Sequence, residues 1–186
     1  MDKILVVIDA QVDFTTGCLG SKQAAEAVVR LQEYLKNHKN DYKLVLATAD
    51  THQNSEFDEK STIEGSEIPK HCIKASPGYA LAGDIAYYVD EVIEKSTFMA
   101  DNFDSLIDDI CARDYDVEEI DICGFCTDIC VISNALLLRK EYPDVKICVI
   151  DDLCAGTSEQ NHKAALDVMS SCLIEHCASD RLGKKK

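Results

Sequence analysis

A chain of 186 residues, 46% hydrophobic and 28% charged, has the composition of a soluble globular protein and the length for one domain with a substantial core. A formal net charge of -15 would repel nucleic acid and anionic membrane surfaces alike, so neither is expected as a partner. No apolar run approaches the roughly 20 residues that span a bilayer.

Residues 3–8 form a continuous apolar run that ends in Asp9, as expected for a strand buried on both faces and not for a secretory signal, for which it is too short. Residues 21–37 follow as a helix with Ala24, Val28, Leu31 and Leu35 on one face. A second strand spans 43–48. Residues 50–83 then lose all periodicity while holding His52, His71, two of the three prolines and many acids, the profile of a long functional loop. A short strand at 91–94 leads to Lys95, and Phe103, Leu106, Ile107 and Ile110 mark a helix face. A strand at 119–123, a helix at 127–140 carrying Ile132, Ala135, Leu136 and Arg139, and a strand at 146–150 come next. Ala165, Val168, Met169 and Cys172 mark the last amphipathic helix, and 173–177 a short final strand. Alternating strands and helices predict an α/β fold, a three-layer doubly wound sheet, mostly parallel, with helices on both faces. With no internal repeat and no linker, the chain reads as a single domain, residues 1–186.

Three groups that suit nucleophilic catalysis lie at predicted strand ends: Asp9, Lys95 and Cys130. A helix N-terminus and a nearby ammonium both favour a thiolate, and a carboxylate at a strand end can carry its proton. Asp50-Thr51-His52 and His71 supply one carboxylate and two imidazoles, enough for an open metal site, with Asp58, Glu64 and Glu67 as further acids in the same loop. Cys123 and Cys126 form a C-x-x-C pair, but Cys123 falls inside the strand and reads as packing, and a redox role ranks below a catalytic Cys130. Ten cysteines, among them Cys111, Cys123, Cys148 and Cys172 inside predicted elements, are read as mostly reduced thiols of a cytoplasmic protein. Phosphate-binding glycine loops and a G-x-S-x-G elbow are absent.

Four segments together carry a resemblance: Ile8-Asp9-Ala10-Gln11-Val12-Asp13-Phe14; Asp50-Thr51-His52 with Pro69-Lys70-His71-Cys72; Glu94-Lys95-Ser96-Thr97-Phe98; and Gly124-Phe125-Cys126-Thr127-Asp128-Ile129-Cys130-Val131. In order and spacing the chain resembles the nicotinamidase/pyrazinamidase branch of the isochorismatase-like cysteine hydrolases over residues 3–177. The resemblance implies a catalytic triad of Asp9, Lys95 and Cys130, and an oxyanion hole from the backbone N–H groups of Cys126 and Cys130 beside a cis Phe125–Cys126 peptide. It implies a divalent metal, zinc first with iron(II) or manganese(II) as alternatives, on Asp50, His52 and His71. Glu64, by its spacing to His71, or Asp58, by its spacing to His52, is the candidate fourth ligand. Phe14, Ile68 and Phe125 are the implied pocket residues; Ile68 stands where many relatives place a tryptophan, and this chain has none. The implied reaction is hydrolysis of nicotinamide to nicotinate and ammonia in NAD salvage, through a thioester. A relative acting on another amide, N-carbamoyl or ureido compound is the alternative, and homo-oligomerisation is left open.

Overall fold

The computed structural model describes residues 2–101, 103 and 117–181. Of the helix expected around 103–110, Phe103 is described and buried; Leu106, Ile107, Ile110 and Cys111 lie outside the described residues.

Six strands form one sheet: β1 (Asp2–Ile8), β2 (Leu44–Asp50), β3 (Glu91–Lys95), β4 (Val117–Phe125), β5 (Lys146–Ala155) and β6 (Glu175–Cys177), in the spatial order β3-β2-β1-β4-β5-β6 with every pairing parallel. The apolar run Ile4–Ile8 is buried throughout, which puts β1 at the centre, covered on both faces. The chain works outward from β1 to β3, then crosses back to β4 and works outward the other way. The order therefore reverses between β1 and β4, and at such a switch point the loops leaving the two strand ends diverge and open a crevice. Asp9 follows β1 and Cys126 follows β4, so both sides of that crevice carry chemistry.

The α-helices among the described residues are α1 (Val12–Thr15), α2 (Lys22–His38), α3 (Asn54–Asp58), α4 (Ile63–Glu67), α5 (Ile132–Glu141) and α6 (Glu159–Ser171). Ser21 caps α2 by accepting from Ala24 N at 3.0 Å, and Ser158 caps α6 by accepting from Asn161 N at 3.1 Å. The predicted face of α2 is buried as expected, with Ala27 and Tyr34 added to it. On α6 the stripe is rotated: Val168 is 48% exposed and Leu166 is buried with Ala165 and Met169.

The strands other than β6 run further than their apolar runs; β6 is shorter than the expected 173–177, starting only at Glu175 after the exposed Leu173. β2 extends to Asp50, β3 to Lys95 and β5 to Ala155, because parallel pairing to a neighbour continues the backbone hydrogen bonds through polar residues. The β4–β5 register is irregular, passing from Ile122–Val149 to Gly124–Cys154, and this carries β5 past Asp151 and Asp152. The predicted helix at 127–140 begins as a π-helical turn, Thr127–Val131, before α5. The unpatterned stretch 50–83 holds α3, α4 and short turns, too brief to leave a helical period.

Gly124 sits at φ +125°, where an added Cβ would lie 1.9 Å from the Ile8 carbonyl oxygen. Only glycine tolerates both the conformation and this approach of β4 to the end of β1. Gly124→Ala is expected to cost about 3 kcal/mol or more, lowering the melting temperature by roughly 10 °C, as read by thermal unfolding; an unchanged melting temperature would show that the strands separate at no cost.

Candidate active site

Each reactive side chain is delivered by a strand end. Asp9 leaves β1 with a positive φ of 45°, which turns its side chain under the sheet edge, where it is fully buried. Thr48, on the adjacent β2, holds it twice: the Asp9 N–H donates to Thr48 Oγ1 at 3.0 Å and the Thr48 hydroxyl donates to Asp9 Oδ1 at 2.6 Å. Lys95, the last residue of β3, reaches across β2 so that its Nζ lies 2.7 Å from Asp9 Oδ2, 3.3 Å from Asp50 Oδ1, 3.0 Å from the Thr97 carbonyl and 3.7 Å from Cys130 Sγ. Cys130 is 4% exposed within the π turn. The three residues predicted to act together are in one buried cluster.

The electrostatics differ from the sequence expectation in one respect. Burial pushes the Cys130 thiol well above its ordinary range, and the nearby Asp9 carboxylate adds to this; Lys95 opposes both without overcoming them. Burial likewise raises Asp9, against the pull of the Lys95 charge. Burial alone would lower Lys95, but Asp9, Cys130 and Asp50 outweigh it, so the ammonium is retained. Burial therefore biases the Asp9–Cys130 pair toward holding a proton, beside the Lys95 cation. Burial of the sulfur thus works against the pull of the helix N-terminus expected from the sequence.

Asp50 also faces a second cluster. Its Oδ2 lies 3.1 Å from His52 Nε2 and 3.2 Å from His71 Nε2, and Glu64 Oε1 is 3.7 and 3.5 Å from the same two nitrogens. One ligand atom from each of the four residues lies within 4.8 Å of all the others. The far side of each imidazole is occupied: His52 Nδ1 meets Glu56 Oε2 at 2.7 Å, and His71 Nδ1 donates to the Pro69 carbonyl at 2.7 Å. That leaves both Nε2 atoms for the cluster centre. Two imidazole nitrogens and two carboxylates fit a borderline divalent cation such as zinc, iron(II) or manganese(II). Of the two candidate fourth acids, Glu64 is in the cluster. Asp58 is not: it is turned to solvent, 2.8 Å from Lys70 Nζ, because α3 ends one turn after His52 with that residue on its outer face.

Between the clusters lies a cavity of about 340 Å³. Asp50, Glu64 and His71 form one wall and Cys126 and Cys130 another, with Phe14, Leu19, Ile68, Phe98 and Ile129 supplying the apolar surface. Two of the three expected pocket residues, Phe14 and Ile68, line it. Phe125 does not: as the last residue of β4 it is fully buried and pairs with Ala155, so its ring belongs to the core, although the peptide that follows it is cis as expected. Phe98, Glu56 and Asn134 escaped the sequence reading. Glu56 left a faint signal, standing four residues after His52 on a helix; Asn134 left none.

A sequence model of the isochorismatase domain matches residues 3–180, and the chain belongs to the isochorismatase family of hydrolases. It is 27% identical over 185 residues to the nicotinamidase/pyrazinamidase of Mycobacterium tuberculosis (strain ATCC 25618 / H37Rv), covering 93% of this chain and 97% of that protein. Its fold matches the pyrazinamidase of Pyrococcus horikoshii in complex with zinc, with a TM-score of 0.80 at 23% identity over 96% of this chain and 99% of that one. A nicotinamidase/pyrazinamidase from Bacillus subtilis gives a TM-score of 0.79, also at 23% identity, over 95% of this chain and all 100% of its own.

Lys95→Met would leave the carboxylates of Asp9 and Asp50 buried without their cation. The expected cost is about 3–5 kcal/mol in denaturant unfolding, and a loss below about 1 kcal/mol would mean that the two acids are neutralised by other means.

Proposed function

We propose that the protein, as a single domain, is a metal-dependent cysteine amidohydrolase that converts nicotinamide to nicotinate and ammonia. The observation that carries this reading is that Cys130, with the Lys95–Asp9 ion pair behind it, lines the same cavity as Asp50, Glu64 and His71 of the imidazole–carboxylate cluster. Support also comes from the mycobacterial relative, aligned over nearly the whole of both chains. The apolar lining suits a flat ring better than a charged ureido acid, whose polar groups would lack partners there. The described cysteines are all free thiols, in keeping with a reducing cytoplasm, and no helix among the described residues is long and apolar enough to cross a membrane.

Asp9 accepts the thiol proton as Cys130 Sγ attacks the carboxamide carbon, and the Lys95 ammonium offsets the negative charge that collects on the pair. The oxygen of the tetrahedral intermediate is received by the backbone N–H groups of Cys126 and Cys130. The C–N bond breaks as Asp9 returns its proton to the departing nitrogen, releasing ammonia and leaving a thioester on Cys130. A water molecule then gives a proton to Asp9, adds to the thioester and expels the sulfur, which recovers the proton as nicotinate leaves. Asp50, His52, His71 and Glu64 would hold the divalent cation, which supplies a coordination point for a ring nitrogen and so a positioning role. Phe14 and Ile68 confine the ring beside them.

The test is ammonia release from nicotinamide by reduced, metal-loaded protein, with and without a strong chelator. Expected outcomes are turnover lost on chelation, a fall of about a thousandfold or more in Cys130→Ala with metal content unchanged, and a raised KM with reduced metal content in His52→Ala. Turnover that persists in metal-free protein would refute the metal, and its absence in loaded, reduced protein would refute the substrate.

A further inference from the structure

The walls of the cavity are not held equally. Phe14, Cys126 and Cys130 sit on buried or half-buried elements, but Phe98 belongs to a run, residues 96–99, that is exposed throughout. Phe98 is 40% and Met99 41% exposed, so burial of side chains does not hold this segment. Yet it supplies both a cavity wall and the Thr97 carbonyl that accepts from Lys95. One buried side chain from elsewhere grips it. Asn134, on the first turn of α5 and fully buried, accepts from Ala100 N through Oδ1 at 2.9 Å and donates through Nδ2 to the Phe98 carbonyl at 2.9 Å. The same Nδ2 donates to the Cys130 carbonyl at 2.7 Å. The amide orientation follows from its partners: two carbonyls need the NH2 and one N–H needs the oxygen, and the flipped amide would set oxygen against oxygen.

We infer that Asn134 is a positioning residue that locks the 97–100 segment to the turn carrying Cys130, and thereby sets both the Lys95–Cys130 approach and the Phe98 wall. The inference rests on the reading of Cys130 as the nucleophile. Three main-chain groups, separated from Asn134 by 4, 34 and 36 positions, converge on one amide. A residue that merely filled space would need none of these bonds. Without the amide, Lys95 keeps its carboxylate partners but its third oxygen, on Thr97, is free to move with an exposed segment.

Two variants test this. Asn134→Ala removes all three bonds. Asn134→Ser keeps a hydroxyl able to bond the carbonyl four residues back, that of Cys130, but reaches neither Phe98 nor Ala100. In both, kcat/KM for nicotinamide is expected to fall about tenfold or more with kcat and KM each affected, while bound zinc is unchanged. Alkylation of Cys130 by iodoacetamide, followed by peptide mass spectrometry, is expected to slow severalfold, with Cys123 and Cys148 labelled as in the parent protein. Those two buried thiols report any general loosening. The inference is overturned if Cys130 labelling and kcat/KM stay within twofold of the parent, if all three thiols label faster together, if Asn134→Ser restores activity, or if neither variant yields folded protein, which would make the role structural. Alkylation needs no substrate, so parent protein that labels at Cys130 yet releases no ammonia refutes the proposed substrate and leaves this inference to its own readout.

Discussion

A buried ammonium organises the site. Lys95 is 4% exposed and its charge is retained only because Asp9, Asp50 and Cys130 surround it. Each of those neighbours comes from a different strand or strand end, so holding the charge requires β1, β2, β3 and β4 to be in register at their C-terminal edge. The constraint runs both ways. The carboxylates are tolerable in a dry interior because the cation is there, and burial of the Cys130 sulfur opposes the charge that Lys95 favours on it.

Asp50 joins the two halves of the site. One oxygen faces Lys95 and the other faces His52 and His71, so the cation beside Cys130 and the imidazole cluster share a single carboxylate. The side chain that joins them is 2% exposed, and its residue's backbone N–H is held by Gln11 Oε1 at 2.8 Å. Gln11 also donates to the Asp50 and Tyr79 carbonyls, at 2.9 Å each, tying the loop after β1 to the end of β2 and to the segment that closes over it. Asp9, Asp50 and Gln11 each meet several polar partners at this depth, an arrangement that rigidifies the site.

Much of this was legible in the chain. The apolar runs located β1, β2, β4 and β5, since a strand buried on both faces leaves an uninterrupted signal; the mostly exposed edge strands β3 and β6 left only short apolar stretches. The strand-end residues Asp9, Lys95 and Cys130, and the Asp50, His52 and His71 set, stood out because polar groups that follow apolar runs are few. Strand ends were set short at Asp50, Lys95 and Ala155, where hydrogen bonding continues beyond the hydrophobic pattern. The π turn and the places of α3 and α4 were not legible either, as one turn of helix is too short to show a period.

What the sequence determined by itself is the order of the elements and the candidate site residues, because local hydrophobic periodicity and residue chemistry are written along the chain. What only the tertiary structure decided is which groups meet. Glu64 is inside the imidazole cluster and Asp58 outside it; Phe98 is at the cavity wall and Phe125 in the core; Asn134 spans 34 positions to reach Ala100. Those distinctions depend on strand register and on the direction of each side chain, and both are set by the packing of distant segments against one another.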